Sequence, residues 1–401
     1  MPTPFVLAAR SALLMIVVLL SACGEPATEP AAAPPEQSSA DQQAASPGPE
    51  EADQVTSPEA EPSEPSAADG EVTGFEAVMA AIEGLDGQER LDELARLAQE
   101  EGAVQIYSTM NSMPRIAEAF TEEYGVEVEA YDAGSSDIRN RVLEEAAADR
   151  VIADVVENNG PEMFTLNAEG VLVPYDSVHE DELIDGAKQD GWIGVRVNYF
   201  TTSWNTDLVA PEEAPRSYQE LADPKWAGRM AMEVSDADWY WALSNHLMDE
   251  EGMSAEEVDE LFRGMAANSS VVDGHTTARQ LLIAGEYSVL ASDLRHSASG
   301  DIAEGAPIQW EPPIEPLFGR ANGAGLVRNA PHPAGAILLF EFLLGETAQG
   351  ILVEDFYDPI NAALAESRGQ YDARLIDIPT YMQDRAEAEE AYAALTTGAD
   401  S

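Results

Sequence analysis

The sequence predicts an α/β fold of two lobes with a ligand cleft between them. Three observations carry this. Short apolar runs alternate with helix-period segments from Ala103 onward, which argues for a largely parallel sheet covered on both faces. A second region of the same kind begins near Arg229. Between them, "VRVNYFTTSWN" (195–205) reads as one long strand able to cross from the first region to the second.

The elements follow in order. The first residues read as a targeting segment: Arg10 supplies a positive flank, and the apolar run Ala12–Leu20 is too short to span a membrane as a helix. It ends in "LSAC", with Cys23 the one cysteine of the chain. This pattern resembles the lipobox of bacterial lipoproteins, which implies a signal over 1–22 and acylation of Cys23. A single cysteine also excludes internal disulfides, so the fold rests on its core. Residues 23–72 are rich in Pro, Ala, Glu and Ser, with 12 acidic and no basic side chains between Glu25 and Glu71. Such a stretch buries too little apolar surface to offset its chain entropy and is expected to act as an extended tether.

Residues 73–401 are expected to form the folded domain. A helix over "QERLDELARLAQEEG" should pack on the first unit. "AVQIY" (103–107) is a strand followed by "STMNS". In "MPRIAEAFTEEY", Ile116, Ala119, Phe120 and Tyr124 share one helical face, and Gly125 ends the helix. "VEVEAY" (126–131) alternates as a strand with one wet face. "GSSDIRNRVLEEAAA" reads as a helix capped by serine, "VIADVV" (151–156) as a buried strand and "GPEMFTLNAEG" as a short helix. In the second region come a strand over "RMAME" (229–233), helices over 236–248, "SAEEVDELFRGMAA" and "TTARQLLIAG", and a strand over "YSVLAS". "GAGLV" (323–327) and an apolar helix over 333–344 complete the order. The first lobe is expected over about 103–198 plus 318–355, the second over about 199–317 plus the C-terminal helices.

The whole chain carries 75 acidic and 20 basic residues, a formal charge of −55. The folded part has 63 and 19, spread through every segment. That balance makes nucleic acid and anionic membrane surfaces poor partners, and leaves binding of polycations or many metal ions as the alternative to a solubility role. It suits an acidic, hydrated surface in a salty medium, where repulsion is screened within about 3 Å at 1 M.

"LADPKWAGRMAM" (221–232) resembles the "DL-dPkW-Gk-am" segment of extracellular solute-binding proteins of ABC importers, in the branch that contains ferric-ion-binding proteins. "VQIYST", "AFTEEYGVEVEAYDAGSSDIRNRVLEE", "ADVVENNGPEMFTLNAEGVLVPY", "ARQLLIAGEYSVL" and "VRNAPHPAGAILLFEFLLGETAQGIL" agree with that branch in order, over roughly 103–365. The resemblance implies a type II periplasmic-binding-protein fold. It implies capture of a small solute at the extracytoplasmic face of the membrane, and delivery to an ABC permease by a lipid-anchored monomer. In the ferric members, the strand after "GE" ends in two adjacent tyrosines that ligate iron. Here the neighbourhood reads Asp293, Leu294, Arg295, His296. A guanidinium, always protonated, repels a metal cation. The sequence therefore favours an anionic or zwitterionic organic solute read by Arg295, over ferric iron held by another ligand set. A sensor or scaffold lipoprotein on the same fold is the alternative outside transport.

Ligands of open parallel sheets bind outside the carboxyl ends of the strands. The site residues expected there are Ser108, Thr109, Asn111, Ser135, Ser136, Asn158 and Asn159, with Tyr199 at the crossover. From the second lobe come Trp239, Thr276, Thr277, Asp293, Arg295 and His296. Ser135 and Ser136 open a helix, whose free amides favour an anion but which simple capping also explains. Arg295 stands against an internal salt bridge to Asp293, His296 against a hydrogen-bonded structural histidine, and Trp239 against core packing. No helical zinc spacing, nucleophile elbow or phosphate-binding loop occurs, so neither an enzyme nor a cofactor is expected.

Overall fold

The computed structural model describes residues 74–366 and 371–398. The expected signal, Cys23 and tether all lie outside the described residues.

In the first lobe, strands Val128–Asp132, Val104–Ser108 and Val155–Asn159 run parallel, in that order. The next position is taken by a strand from far along the chain, Leu317–Val327, antiparallel to Val155–Asn159 on one side and to Trp192–Asn205 on the other. The second lobe continues from Trp192–Asn205 through Val289–Leu294, antiparallel to it, then Met230–Glu233 and Ser269–Val272, both parallel to Val289–Leu294. Two strands therefore cross between the lobes. "GAGLV" is only the end of the second one, whose start at Leu317 carries Arg320 and Asn322 and lacks an uninterrupted apolar pattern.

Helices cover the sheet where their apolar faces require it. Met113–Tyr124 buries Met113, Ile116 and Phe120 and ends on Gly125, which adopts φ 69°. Helix Pro333–Leu344 is apolar except for Glu341 and buried throughout, the pattern of a core helix. It packs against Gly87–Glu101, and Glu101 accepts the free amides of Ala334 and Gly335 at its start. In the second lobe, Ala255–Asn268 begins with a reciprocal Ser254–Glu257 capping box. The C-terminal helix Ile378–Thr397 lies on Ala237–Asp249, burying Ile378, Tyr381, Ala388 and Tyr392 in the second core.

Five boundaries differ from the sequence reading, each with consequences for the site. The third strand is Val155–Asn159, so Asn158 and Asn159 are paired strand residues, opposite Gly323 and Asn322, and not a loop. The strand over "VLASDL" runs through Leu294, so Asp293 lies inside the sheet. A helix, Arg295–Ala303, starts immediately afterwards. Ser135 is the first residue of helix Ser135–Ala147, whose cap position is Gly134, and Thr276 and Thr277 lie in the first turn of His275–Ile283, capped by Gly274.

Candidate functional site

Both lobes contribute to a cleft of about 710 Å³. Its floor is the crossing pair. Trp192–Asn205 turns Arg196 and Asn198 into the cleft and Val197 and Tyr199 to the opposite side, as a period of two requires. Arg320, directly opposite Asn198 in the register, joins them in the cleft.

The first-lobe wall centres on Arg196, almost fully buried. It donates to Asn198 Oδ1 (2.6 Å) and Thr109 Oγ1 (3.1 Å), lies 3.1 Å from Glu157 Oε1, and sits 4.9 Å from the centre of the Tyr357 ring. Glu157 Oε2 accepts from the Ser108 hydroxyl (2.8 Å) and the Thr109 amide (3.0 Å). The start of helix Ser135–Ala147 forms the adjoining edge, where the Asn159 side-chain amide donates to Ser135 Oγ (2.7 Å). His296 comes from the second lobe and stacks on Tyr357 with ring centres 4.1 Å apart. Burial, then Arg196, Arg279 and Arg295, hold His296 well below its ordinary pKa, so it is neutral at pH 7. Burial also pushes the Tyr357 phenol up, although Arg196 opposes this.

The second-lobe wall is acidic. Glu233, Asp236 and His275 bring one ligand atom each within 4.8 Å of one another. Asp236 is fully buried, and neither of its oxygens accepts a hydrogen bond. His275 Nε2 stands 3.1 Å from Asp236 Oδ1, a contact not aligned as a hydrogen bond. Burial pushes the Asp236 carboxyl up, with His275 pulling the other way. For His275, burial alone would lower the pKa, but Asp236 and Glu233 outweigh it and the net shift is upward. Glu233 ends lower than usual, because His275, Ser235 and the Gly274 amide outweigh its burial. Beside them Arg320 donates to Asp238 Oδ2 (3.0 Å).

Of the residues expected from sequence, Thr109, Asn111, Ser135, Ser136, Asn159, Thr276 and His296 line this cleft. The others do not. Ser108 and Asn158 are buried behind the wall, bonded to Glu157 and to the Ser135 carbonyl. Thr277 is exposed away from the lining. Trp239 is core, packed edge-on to Phe262 and beside Tyr218. Asp293 is buried and paired with Arg279 (3.2 Å). Arg295 neither faces the cleft nor bonds Asp293. The chain turns into a helix at that residue and carries the guanidinium behind the crossing strand, where it grips Asp358 through two bonds, one of 2.9 Å. Tyr199 lies beside that pair, its phenol pushed up to about 12 by burial and Asp358. Sequence reasoning missed Arg196, Arg320, Glu233, Asp236 and His275. The signal available for the first two was a charge inside an otherwise apolar strand.

Comparisons with known proteins agree with this fold. Residues 115–373 match the family described as bacterial extracellular solute-binding protein. Among curated relatives, an "Iron uptake protein A1" from Synechocystis sp. is 26% identical over 305 residues, covering 70% of this chain and 83% of its own. An "Fe(3+)-binding periplasmic protein" from Serratia marcescens is 22% identical over 270 residues, covering 64% and 78%. Among solved structures, iron-bound HitA from Pseudomonas aeruginosa superposes with a TM-score of 0.61 at 19% identity, over 73% of this chain and 99% of that one. A substrate-binding protein of an ABC transporter from Agrobacterium tumefaciens gives 0.61 at 13% identity, over 74% and 97%. These likenesses establish the two-lobed periplasmic-binding-protein fold. The match over residues 115–373 makes this chain a member of the bacterial extracellular solute-binding protein family.

Proposed function

We propose that the protein captures a metal cation in its cleft and delivers it to an ABC importer, with iron the first cargo to test. One observation carries this reading: Asp236 is a fully buried carboxylate that accepts no aligned hydrogen bond, and it is grouped with Glu233 and His275, both of which line the cleft. A buried carboxylate whose one close cationic neighbour, His275, is not aligned to bond it is costly unless a further cation joins it. The cleft arginines are already neutralised, Arg196 by Glu157, Arg320 by Asp238 and Arg385 by Glu162 and Glu389. What is left over is negative charge. Two carboxylates and an imidazole form an oxygen-and-nitrogen donor set for hard to borderline cations. The names of the Synechocystis and Serratia relatives support iron as the cargo, through a ligand set without the adjacent tyrosines.

The test is calorimetry on the full chain after chelator dialysis, titrating ferric citrate, Mn²⁺, Zn²⁺ and Ca²⁺ separately. Micromolar or tighter binding of one metal, about −8 kcal/mol, with loss of that binding in Asp236→Asn and His275→Gln, is the expected result. No heat with any of the four metals rejects the reading.

A second reading, an organic anion on the first-lobe wall, is favoured by one observation. Arg196 Nε has no acceptor, and the start of helix Ser135–Ala147 opens beside it. It no longer rests on Arg295. Stabilisation by citrate alone, abolished by Arg196→Lys, would support it. Anchoring at the outer face of the membrane through Cys23 belongs to the same proposal, and metabolic labelling with palmitate tests it.

A further inference from the structure

Helix Gly160–Ala168 of the first lobe meets helix Ile378–Thr397 of the second at two points. The first is a contact too close for a side chain. A Cβ on Gly160 would stand 2.7 Å from the Ala321 carbonyl oxygen, on the crossing strand, and 3.0 Å from Ile378 Cγ1. The second lies two residues along one helix and seven along the other. Glu162 is only 6% exposed, yet its two oxygens are held from different lobes. Arg139, on the neighbouring first-lobe helix, donates to Oε2 at 2.6 Å, and Arg385 donates to Oε1 at 3.2 Å. Arg385 is itself steadied by Glu389 at 2.7 Å. Pro161, Glu162, Arg385 and Glu389 all line the cleft.

We propose that Glu162 and Arg385 form a clasp between the lobes, with the Gly160–Ile378 contact as its pivot, and that this clasp holds the cleft in the conformation described here before any cargo arrives. The division of the carboxylate is what suits it to the role. Breaking a buried ion pair is costly chiefly because it leaves a bare charge behind. When Arg385 leaves, Glu162 keeps Arg139, and Arg385 keeps Glu389, so neither charge is stranded. The contact can open and re-form reversibly. Partial burial also shields it from salt better than an exposed pair. The clasp makes Glu162 and Arg385 positioning residues for capture, whatever the cargo, because they act on the lobes and not on the solute.

The test measures the distance between the lobes without cargo, so its outcome is independent of the metal reading. The full chain carrying Cys23→Ser receives spin labels at Glu122→Cys and Glu260→Cys, both exposed, one on each lobe. Double electron–electron resonance then gives the distance distribution. Glu162→Gln and Arg385→Gln each shift it to longer and broader distances, and the double variant shifts it no further than either single one. Arg139→Gln leaves it unchanged, since that arginine belongs to the same lobe as Glu162. Arg385 is partly exposed, so its variant keeps the fold should Glu162→Gln fail to do so. Coincidence of the Arg385→Gln distribution with the parent overturns the proposal. So does an Arg139→Gln shift as large as that of Arg385→Gln, which would make Glu162 an anchor of its own helix only.

Discussion

Arg295 and His296 are neighbours in sequence and lie on opposite sides of the crossing strand. Arg295 reaches behind it to Asp358, and His296 faces the cleft and stacks on Tyr357. The strand Asp358–Pro359 pairs with Arg196 and Val197, whereas Leu294 pairs with Phe200. The ion pair therefore bridges the few residues at which the crossing strand passes from one lobe to the other.

Arg295→Ala breaks both bonds from this guanidinium to Asp358 in a largely buried setting. A loss on the order of 3 kcal/mol in unfolding free energy is expected, measured by urea denaturation. Metal binding in the cleft should change little, because the guanidinium does not reach it.

His296 gives a pH signature whose sign follows from its lowered pKa. Below about pH 6.5 the unfolded state takes up a proton at this residue and the folded state does not. Folding stability from this group is therefore intact above that pH and falls as pH drops, by up to about 1.4 kcal/mol per unit. His296→Gln removes that slope. The difference between parent and variant, followed by denaturation from pH 7 to pH 5, should grow in the variant's favour as pH falls.

Gly160→Ala places a methyl group against the Ala321 carbonyl and Ile378. Overpacking of this kind costs about 1–3 kcal/mol. A thermal melt showing no loss would mean that the two helices separate easily at this point.

Trp239→Ala tests the reassignment of that residue from cleft to core. Removing a buried tryptophan costs about 3–5 kcal/mol. Affinity for the cargo, measured where the variant is still folded, should be close to that of the parent.

The fold was legible in the sequence because its strands and helices have clear periods, and because Gly125 marks a helix end in a way that a single residue reveals. The first-lobe lining of the candidate cleft was legible for the same reason. Thr109, Asn111 and Ser135 follow or face strand ends, and strand ends are where such clefts open. The second-lobe half was not. Glu233, Asp236 and His275 come from a strand end, a turn and a helix start, and in a chain with 75 acidic residues no carboxylate stands out. Arg295 misled because a strand was expected to end in a loose tip. Its place along the chain indicated its neighbourhood, but the side of the strand it took depended on where the next helix began. Its partner Asp358 lies 63 residues away, beyond any local pattern.

The placement of Leu317–Val327 has a consequence for how the chain acquires its shape. That strand sits in the middle of the first-lobe sheet, between segments made more than a hundred residues earlier. The helix that fills the first core, Pro333–Leu344, follows it. As the chain emerges N-terminus first, the early strands therefore wait, incomplete and with an open edge, until nearly the whole domain is present. Such late, long-range pairing makes for slow folding and a vulnerable interval during synthesis. A truncation before Leu317 is therefore expected to leave neither lobe whole, since both cores draw on residues beyond it.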